Sequence, residues 1–333
     1  FMKEIFNNKD KIFLAGSNGM VGSAVKRAIL KLSPSNNLSP MNLLTPTKKE
    51  LNLLDERSVK KWFDENKPSI VILAAAKVGG IYANSKYPAN FLIENLKIQT
   101  NVIESAWSAG VKRLLFLGSS CIYPKYASQP ITEESLLESR LECTNEAYAI
   151  AKIAGLKLCE SLRTQYGFDA ISLMPTNLYG PNDNYHPKNS HVMAALIRKF
   201  IIAKKKNLSS VTCWGSGKVY REFMHVDDLA EGIIFCLKNW HPSTNNSPKD
   251  SFGKPLNHLN IGTGKDISIK ELATKISIIT GFKGEILWDT SKPDGTPKKL
   301  LDVSRINKLG WKSKIDLYDG IKRTVGSMNK IKL

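Results

Sequence analysis

Apolar and polar positions along the first half of the chain alternate between two periods. Continuous apolar runs stand at KIFLAG (11–16), SIVILAAA (69–76) and RLLFLGSS (113–120), with a shorter one, NLLT, at 42–45. Runs of that length with no polar face are the pattern of strands buried on both sides of a parallel sheet. Between them, MVGSAVKRAIL (20–30), DERSVKKWFDEN (55–66) and residues 89–109 and 144–166 read as helices, with Asp55 placed to cap the second. AISLMPTNLYG (170–180) reads as one further strand. Strand–helix alternation predicts an α/β fold with a parallel sheet and right-handed crossovers, that is, a Rossmann-type doubly wound sheet.

After Gly180 the regularity loosens. SHVMAALIRKFIIAKKK (190–206) predicts a helix opened by Ser190, and VTCWGSGK (211–218) a strand running into a glycine turn. VDDLAEGIIFCLKNW (226–240) and SIKELATKISIIT (268–280) are helices around a strand-like HLNIGTG (258–264). HPSTNNSPKDSFGKP (241–255) has loop composition. The expected organisation is a dinucleotide-binding domain over 1–180 and a smaller C-terminal α/β domain, mainly substrate-binding, over 181–333.

Composition narrows the classes. The 333 residues are 42% hydrophobic, enough for a sizeable core, and no stretch of apolar residues reaches the roughly 18 a membrane helix needs. The opening FMKEIFNNKDKIFLAG lacks a long apolar segment before a small-residue cleavage site, so no signal peptide is expected. Five cysteines (121, 143, 159, 213, 236) are scattered without a CxxC pair. They predict neither a disulfide framework nor a metal site, and they suit a reducing cytoplasm. The net charge of +18 favours anionic partners. The lysines are spread, with KKK at 204–206 the densest run, rather than gathered on one recognition element. Most of them read as a solvated basic surface, and their spread argues against a nucleic-acid protein.

GSNGMVG places Gly16, Gly19 and Gly22 between the first strand and its helix, with Ser17, Asn18, Met20 and Val21 filling the turn. Glycines allow a sharp turn and close backbone approach, and a helix N-terminus offers free N–H groups to a pyrophosphate. An NAD site usually ends its second strand on an acid for the ribose 2′-OH; here the sequence is LLTPTKKELNLLD. Lys48 near that point favours the 2′-phosphate of NADP. Downstream, NEAYAIAKIAG sets Tyr148 and Lys152 on one helix face. A phenol with a reference pKa of about 10 is a reluctant proton carrier, and a neighbouring ammonium is expected to lower it. LGSSCIYP (117–124) puts Ser119 and Cys121 just beyond a strand end.

The glycine turn, the two serines, Tyr148 and Lys152, together with AAAKVGGI, MPTNLYGP, NSHV, REFMHVDD, NIGTG and SKPDGTP, resemble the extended short-chain dehydrogenase/reductases acting on nucleotide sugars. Within that family the match is to the NADPH-dependent 3,5-epimerase/4-reductases that turn GDP-4-keto-6-deoxy-D-mannose into GDP-L-fucose. The resemblance implies that Ser119 holds the ketone oxygen, that Tyr148 protonates it, and that Lys152 supports Tyr148 and binds the nicotinamide ribose. It implies Cys121 as base and His191 as acid for inversion. Leu117, Gly118 and Ser120 would line the cofactor with Pro175, Thr176, Asn177 and Leu178, and His191 would border it. Asn177 would also reach the sugar, while Lys199, Trp214, Arg221 and Asp294 would bind GDP. Asn18 and Lys48 stand where some members carry arginine. The resemblance further implies that parts of 222–264 return to the first domain, and that two copies pair through the helices at 89–109 and 144–166. A sibling epimerase or dehydratase, or a non-catalytic NADP-sensing or nucleic-acid-binding relative, is the alternative. A dehydratase, however, would set an acidic pair beside its serine, and SSCIYP has none.

Overall fold

The computed structural model describes residues 6, 7, 9–36, 42–187, 189–292 and 294–328. Residues 1–5 of the opening segment and Pro293 of SKPDGTP lie outside them. The first half runs Ile12–Ala15 (β1), Met20–Asn36 (α1), Leu43–Leu44 (β2), Glu56–Asn66 (α2), Ile70–Leu73 (β3), Ile81–Lys86 (α3), Pro88–Ser108 (α4), Arg113–Leu117 (β4), Glu146–Tyr166 (α5) and Ala170–Pro175 (β5). The second half runs Asn177–Tyr179 (β6), Val192–Lys205 (α6), Ser210–Trp214 (β7), Tyr220–His225 (β8), Val226–Asn239 (α7) and His258–Ile261 (β9). It ends with Asp266–Ser268 (β10), Ile269–Thr280 (α8), Glu285–Asp289 (β11), Lys298–Lys299 (β12), Ser304–Lys308 (α9) and Leu317–Met328 (α10).

Six parallel strands form the main sheet in the order β2-β1-β3-β4-β5-β9. The chain leaves β1 toward β2 on one side and returns to β3 on the other, so the crevice between β1 and β3 is the switch point where such sheets bind ligands. Residues of β1, β3, β4 and β5 are buried at every position, which is why their sequences carry no polar face. Along β4, Arg113 reaches the carbonyls of Leu237 and Trp240 at the end of α7, whereas Phe116 packs under Gly155 of α5. An odd and an even position of one strand point to opposite faces, so α5 and α7 cover opposite faces of the sheet. α4 packs beside α5, and α1 beside α7. Asp55 does cap α2, accepting from the N–H of Arg57 and Ser58.

A second core gathers Tyr179, Ile197, Phe200, Leu272, Ile276 and Met328 from β6, α6, α8 and α10. Beside it β8 is the hub of a small sheet, antiparallel to β10 and parallel to β12 and β6, while β7 pairs with β11. Three expectations change here. The run 170–180 is two strands: β5 stays in the main sheet, and after Thr176 the chain crosses to β8 as β6. α6 starts at Val192 with His191, not Ser190, at its N-cap. The apolar pattern did not show β8, whose inward positions include the buried charged or polar Glu222 and His225.

Candidate active site

The first wall of the switch-point crevice is the glycine turn. Gly16 has φ +88, and a Cβ there would lie 2.7 Å from the N atom of Ala75, beyond the end of β3. A Cβ on Gly22 would collide with the carbonyl of Gly16. Those two glycines are demanded by the fold itself. Gly19 is not: its added Cβ would meet nothing nearer than the Gly16 oxygen at 3.5 Å, and the residue is exposed. An exposed glycine that the protein does not need, at the N-terminus of a 17-residue helix, suits close approach by a pyrophosphate. Ser17 is buried under the turn, Asn18 is exposed, and Met20 and Val21 lean on the core. Past β2, Lys48 is exposed. The acid nearby, Glu50, turns its carboxylate back to the N–H of Thr47 at 2.7 Å, so it is committed to its own turn.

The second wall is the end of β4 with α5. Gly118 fits beside the sulfur of Met174, where a side chain would clash. Ser119 is extended (φ −163) and its Oγ accepts the N–H of Cys121 at 3.2 Å, opening the single 3-10 turn Ser120–Ile122. Lys152, buried in α5, donates from Nζ to the carbonyl of Leu117 at 2.9 Å and stands 5.8 Å from the ring centre of Tyr148. Burial lowers its pKa to about 8. The expectation that Lys152 lowers the phenol's pKa is not met. Burial, with the Cys121 sulfur, pushes Tyr148 up, and only a hydrogen bond with Ser119 pulls the other way. The phenol is thereby kept as the proton-bearing acid.

Cys121 is half-buried, and two donors face its sulfur: Asn145 Nδ2 at 3.3 Å and Lys299 Nζ at 3.9 Å. Neither was singled out from the sequence, where Asn145 is one helix-start polar residue and Lys299 one lysine of 48 basic residues. His191 stands at the N-cap of α6. The carbonyl before it, Ser190 O, would lie 2.6 Å from a Cβ on Gly80, and Gly80 N donates to Asn189 O at 3.0 Å. The glycine pair of AAAKVGGI thus lets the His191 loop dock on the segment after β3. His191 is exposed, yet desolvation by the surrounding protein lowers its imidazole pKa. Its imidazole makes no hydrogen bond among the described residues.

Thr176, buried, and Asn177, half-buried, both bond to the carbonyl of Glu222, at 3.2 and 2.8 Å, with Pro175 buried and Leu178 half-buried beside them. Farther out, Lys199 donates to Thr212 O at 2.8 Å and its Nζ stands 5.4 Å from the exposed ring of Trp214. Both carboxylate oxygens of Asp294 hold Ser216, through its N–H at 2.7 Å and Oγ at 2.8 Å. Arg221 touches Asp294 O at 3.5 Å, and Cys121 lies near enough to act on its guanidinium. Ser119, Cys121, Tyr148 and Lys152 therefore converge, Arg221 and Lys299 edge the same space, and Lys48 stands apart in its turn.

A parallel Rossmann sheet with a glycine turn at its switch point and a Ser–Tyr–Lys set at the end of β4 defines an enzyme of the short-chain dehydrogenase/reductase type. Residues 12–250 match the NAD dependent epimerase/dehydratase family, and the chain belongs to it. It is 51% identical over 315 residues to the probable GDP-L-fucose synthase 1 of Oryza sativa subsp. japonica, covering 94% of this chain and 90% of that protein. It is 50% identical over 319 residues to GDP-L-fucose synthase of Escherichia coli (strain K12), covering 95% and 96%. Among solved structures it resembles MlghC, a GDP-mannoheptose C4 reductase from Campylobacter jejuni with NADP bound. That likeness has a TM-score of 0.84 and 39% identity, over 97% of this chain and 99% of that one.

Proposed function

We propose that this chain is an NADPH-dependent epimerase and reductase that converts GDP-4-keto-6-deoxy-D-mannose to GDP-L-fucose in one site. Cofactor would be held by the Gly16–Gly22 turn, with Lys48 toward the 2′-phosphate and Lys152 on the nicotinamide ribose. Leu117–Ser120 and Pro175–Leu178 would border its ring. When bound, it supplies a hydride for C4. GDP would lie along Lys199, Trp214, Arg221 and Asp294, with the two cations against the diphosphate.

The ketone at C4 acidifies the C–H bonds at C3 and C5. Cys121, as thiolate, takes the proton from carbon, and the electron pair of that bond moves onto the carbonyl oxygen. Ser119 and Tyr148 hold the resulting oxyanion by donating hydrogen bonds to it. His191 returns a proton to carbon from the opposite face, inverting the centre. At the reduction of C4, Tyr148 gives its phenolic proton to the oxygen. By this reading the main sheet, with α7 and β9, is the cofactor half, and most of 181–333 is the substrate half.

One observation carries the epimerase part: a half-buried thiol with an amide and an ammonium on its sulfur stands beside the reductase phenol. Reduction alone needs no thiol. Incubation with the ketosugar in D₂O without cofactor should place deuterium at C3 and C5. Cys121→Ala and His191→Ala should cut that exchange by about 100-fold or more, and Tyr148→Phe should chiefly cut reduction. The second reading comes from the Campylobacter relative, named as a C4 reductase. Reduction of the ketosugar with no deuterium at C3 or C5 would favour it and end the epimerase proposal.

A further inference from the structure

Glu222 is fully buried in β8, and no cation pairs with its carboxylate among the described residues. Such a group is costly to bury unless its lone pairs are satisfied. Here they are. Oε1 takes the N–H of Thr263 at 2.6 Å and of Gly264 at 2.8 Å, with the Thr263 hydroxyl at 3.4 Å; Oε2 takes the N–H of Leu301 at 2.9 Å. Gly262 is glycine where a Cβ would strike that carboxylate. The same residue's carbonyl holds Thr176 and Asn177.

Leu301 belongs to a strap that is also tied to the 129–131 segment: Leu300 N to Gln129 Oε1, and backbone bonds Ile131 N to Leu300 O and Asp302 N to Ile131 O, each at 2.8 Å. Two residues before Leu301, Lys299 pairs in register with Arg221 and places its ammonium 3.9 Å from the Cys121 sulfur. We infer that Glu222 is a positioning residue for proton transfer: by fixing Leu301 it seats Lys299 against Cys121, where the ammonium favours the anionic sulfur. The inference rests on the reading of Cys121 as base. It goes beyond that reading in naming the charge that serves the thiol and the buried acid that aims it.

The test reads the thiol directly. Iodoacetamide alkylation at neutral pH, resolved by peptide so that exposed Cys143 is counted separately, is followed on the full-length protein. Lys299→Met should slow alkylation of Cys121 by about tenfold, the scale of one ammonium at this distance in a partly screened site, and Lys299→Arg should restore most of it. Glu222→Gln keeps the volume but turns an N–H toward either Leu301 or the Thr263–Gly264 turn. It should slow Cys121 to the Lys299→Met level, and the double variant should be no slower than either single one. Glu222→Asp, which withdraws the carboxylate from Leu301, is the second variant and should show the same loss. Unchanged alkylation in Lys299→Met, a folded Glu222 variant that loses Tm but alkylates like the parent, or additive losses would each overturn the inference. Lys299 is half-buried at a sheet edge, so its arm decides the contact with sulfur whichever Glu222 variant folds. If Cys121→Ala keeps full deuterium exchange, the base assignment falls while the contact stands. If that exchange is lost but Lys299→Met alkylates normally, only the present inference falls.

Discussion

Lys152 shows what a single buried charge costs and what it is kept for. Burial moves its pKa from 10.5 down to about 8. The unfolded chain therefore holds this proton more tightly than the folded one. The cost to stability is fully present below pH 8 and is relieved as pH rises toward 10.5. The penalty is on the order of 3 kcal/mol at neutral pH, against roughly 1 kcal/mol for the bond to Leu117 O. Lys152→Met is expected to raise Tm by a few degrees at neutral pH while activity collapses, and the gain should shrink in alkaline buffer. Thermal melts of the two proteins across that range check this; a lower Tm for the variant at neutral pH would contradict it. The spacing of Tyr148 and Lys152 was legible from four residues on a helix. Their environment was not, because burial depends on what β4 and the Ser119 turn bring over that helix face, and this reversed the expected direction of the Tyr148 shift.

The elements divide the same way. Strands buried on both faces announced themselves as apolar runs, so β1, β3, β4 and β5 were legible. β8 was hidden because the residues it buries include a carboxylate, satisfied by backbone N–H groups distant in sequence, and an imidazole, which accepts the N–H of Asp227 at the start of α7. The strand break at Thr176 was equally silent, since β5 and β6 are both largely apolar and differ only in their neighbours. The glycine turn is the element where sequence and coordinates meet most closely, and it separates fold from function. Gly19→Ala adds a methyl that touches only the Gly16 oxygen at an ordinary distance, so Tm should stay within about 1 °C of the parent. The methyl stands where a pyrophosphate would approach the backbone, so Kd for NADPH should rise by about tenfold or more. Titration of NADPH fluorescence, alongside a melt, reads both. Unchanged affinity would mean that the exposed glycine is not part of the cradle.

At the scale of the whole molecule, the charge and the uncovered helices have to be reconciled. No helix of the described residues is long and apolar enough to cross a membrane. Yet α4 leaves Ile93 52% exposed and α5 leaves Ile150 45% exposed, with Leu96 and Ile153 half-buried near them by helical spacing. We propose that two copies pair through these helices, as the resemblance implied. Ile150 lies two residues from both Tyr148 and Lys152, about 200° around the helix from each, so pairing would brace α5 from behind its catalytic face. Two bodies of charge +18 repel one another, and that repulsion is screened only as ionic strength rises. An apolar interface between such bodies should therefore tighten with salt, the reverse of one held by ion pairs. Sedimentation should show a dimer whose dissociation constant falls as salt is raised from about 0.02 to 0.2 M. Ile93→Lys with Ile150→Lys should give a monomer. If the parent protein sediments as a monomer at every salt concentration, the exposed isoleucines do not serve self-association, and α5 is held by the sheet and α4 alone.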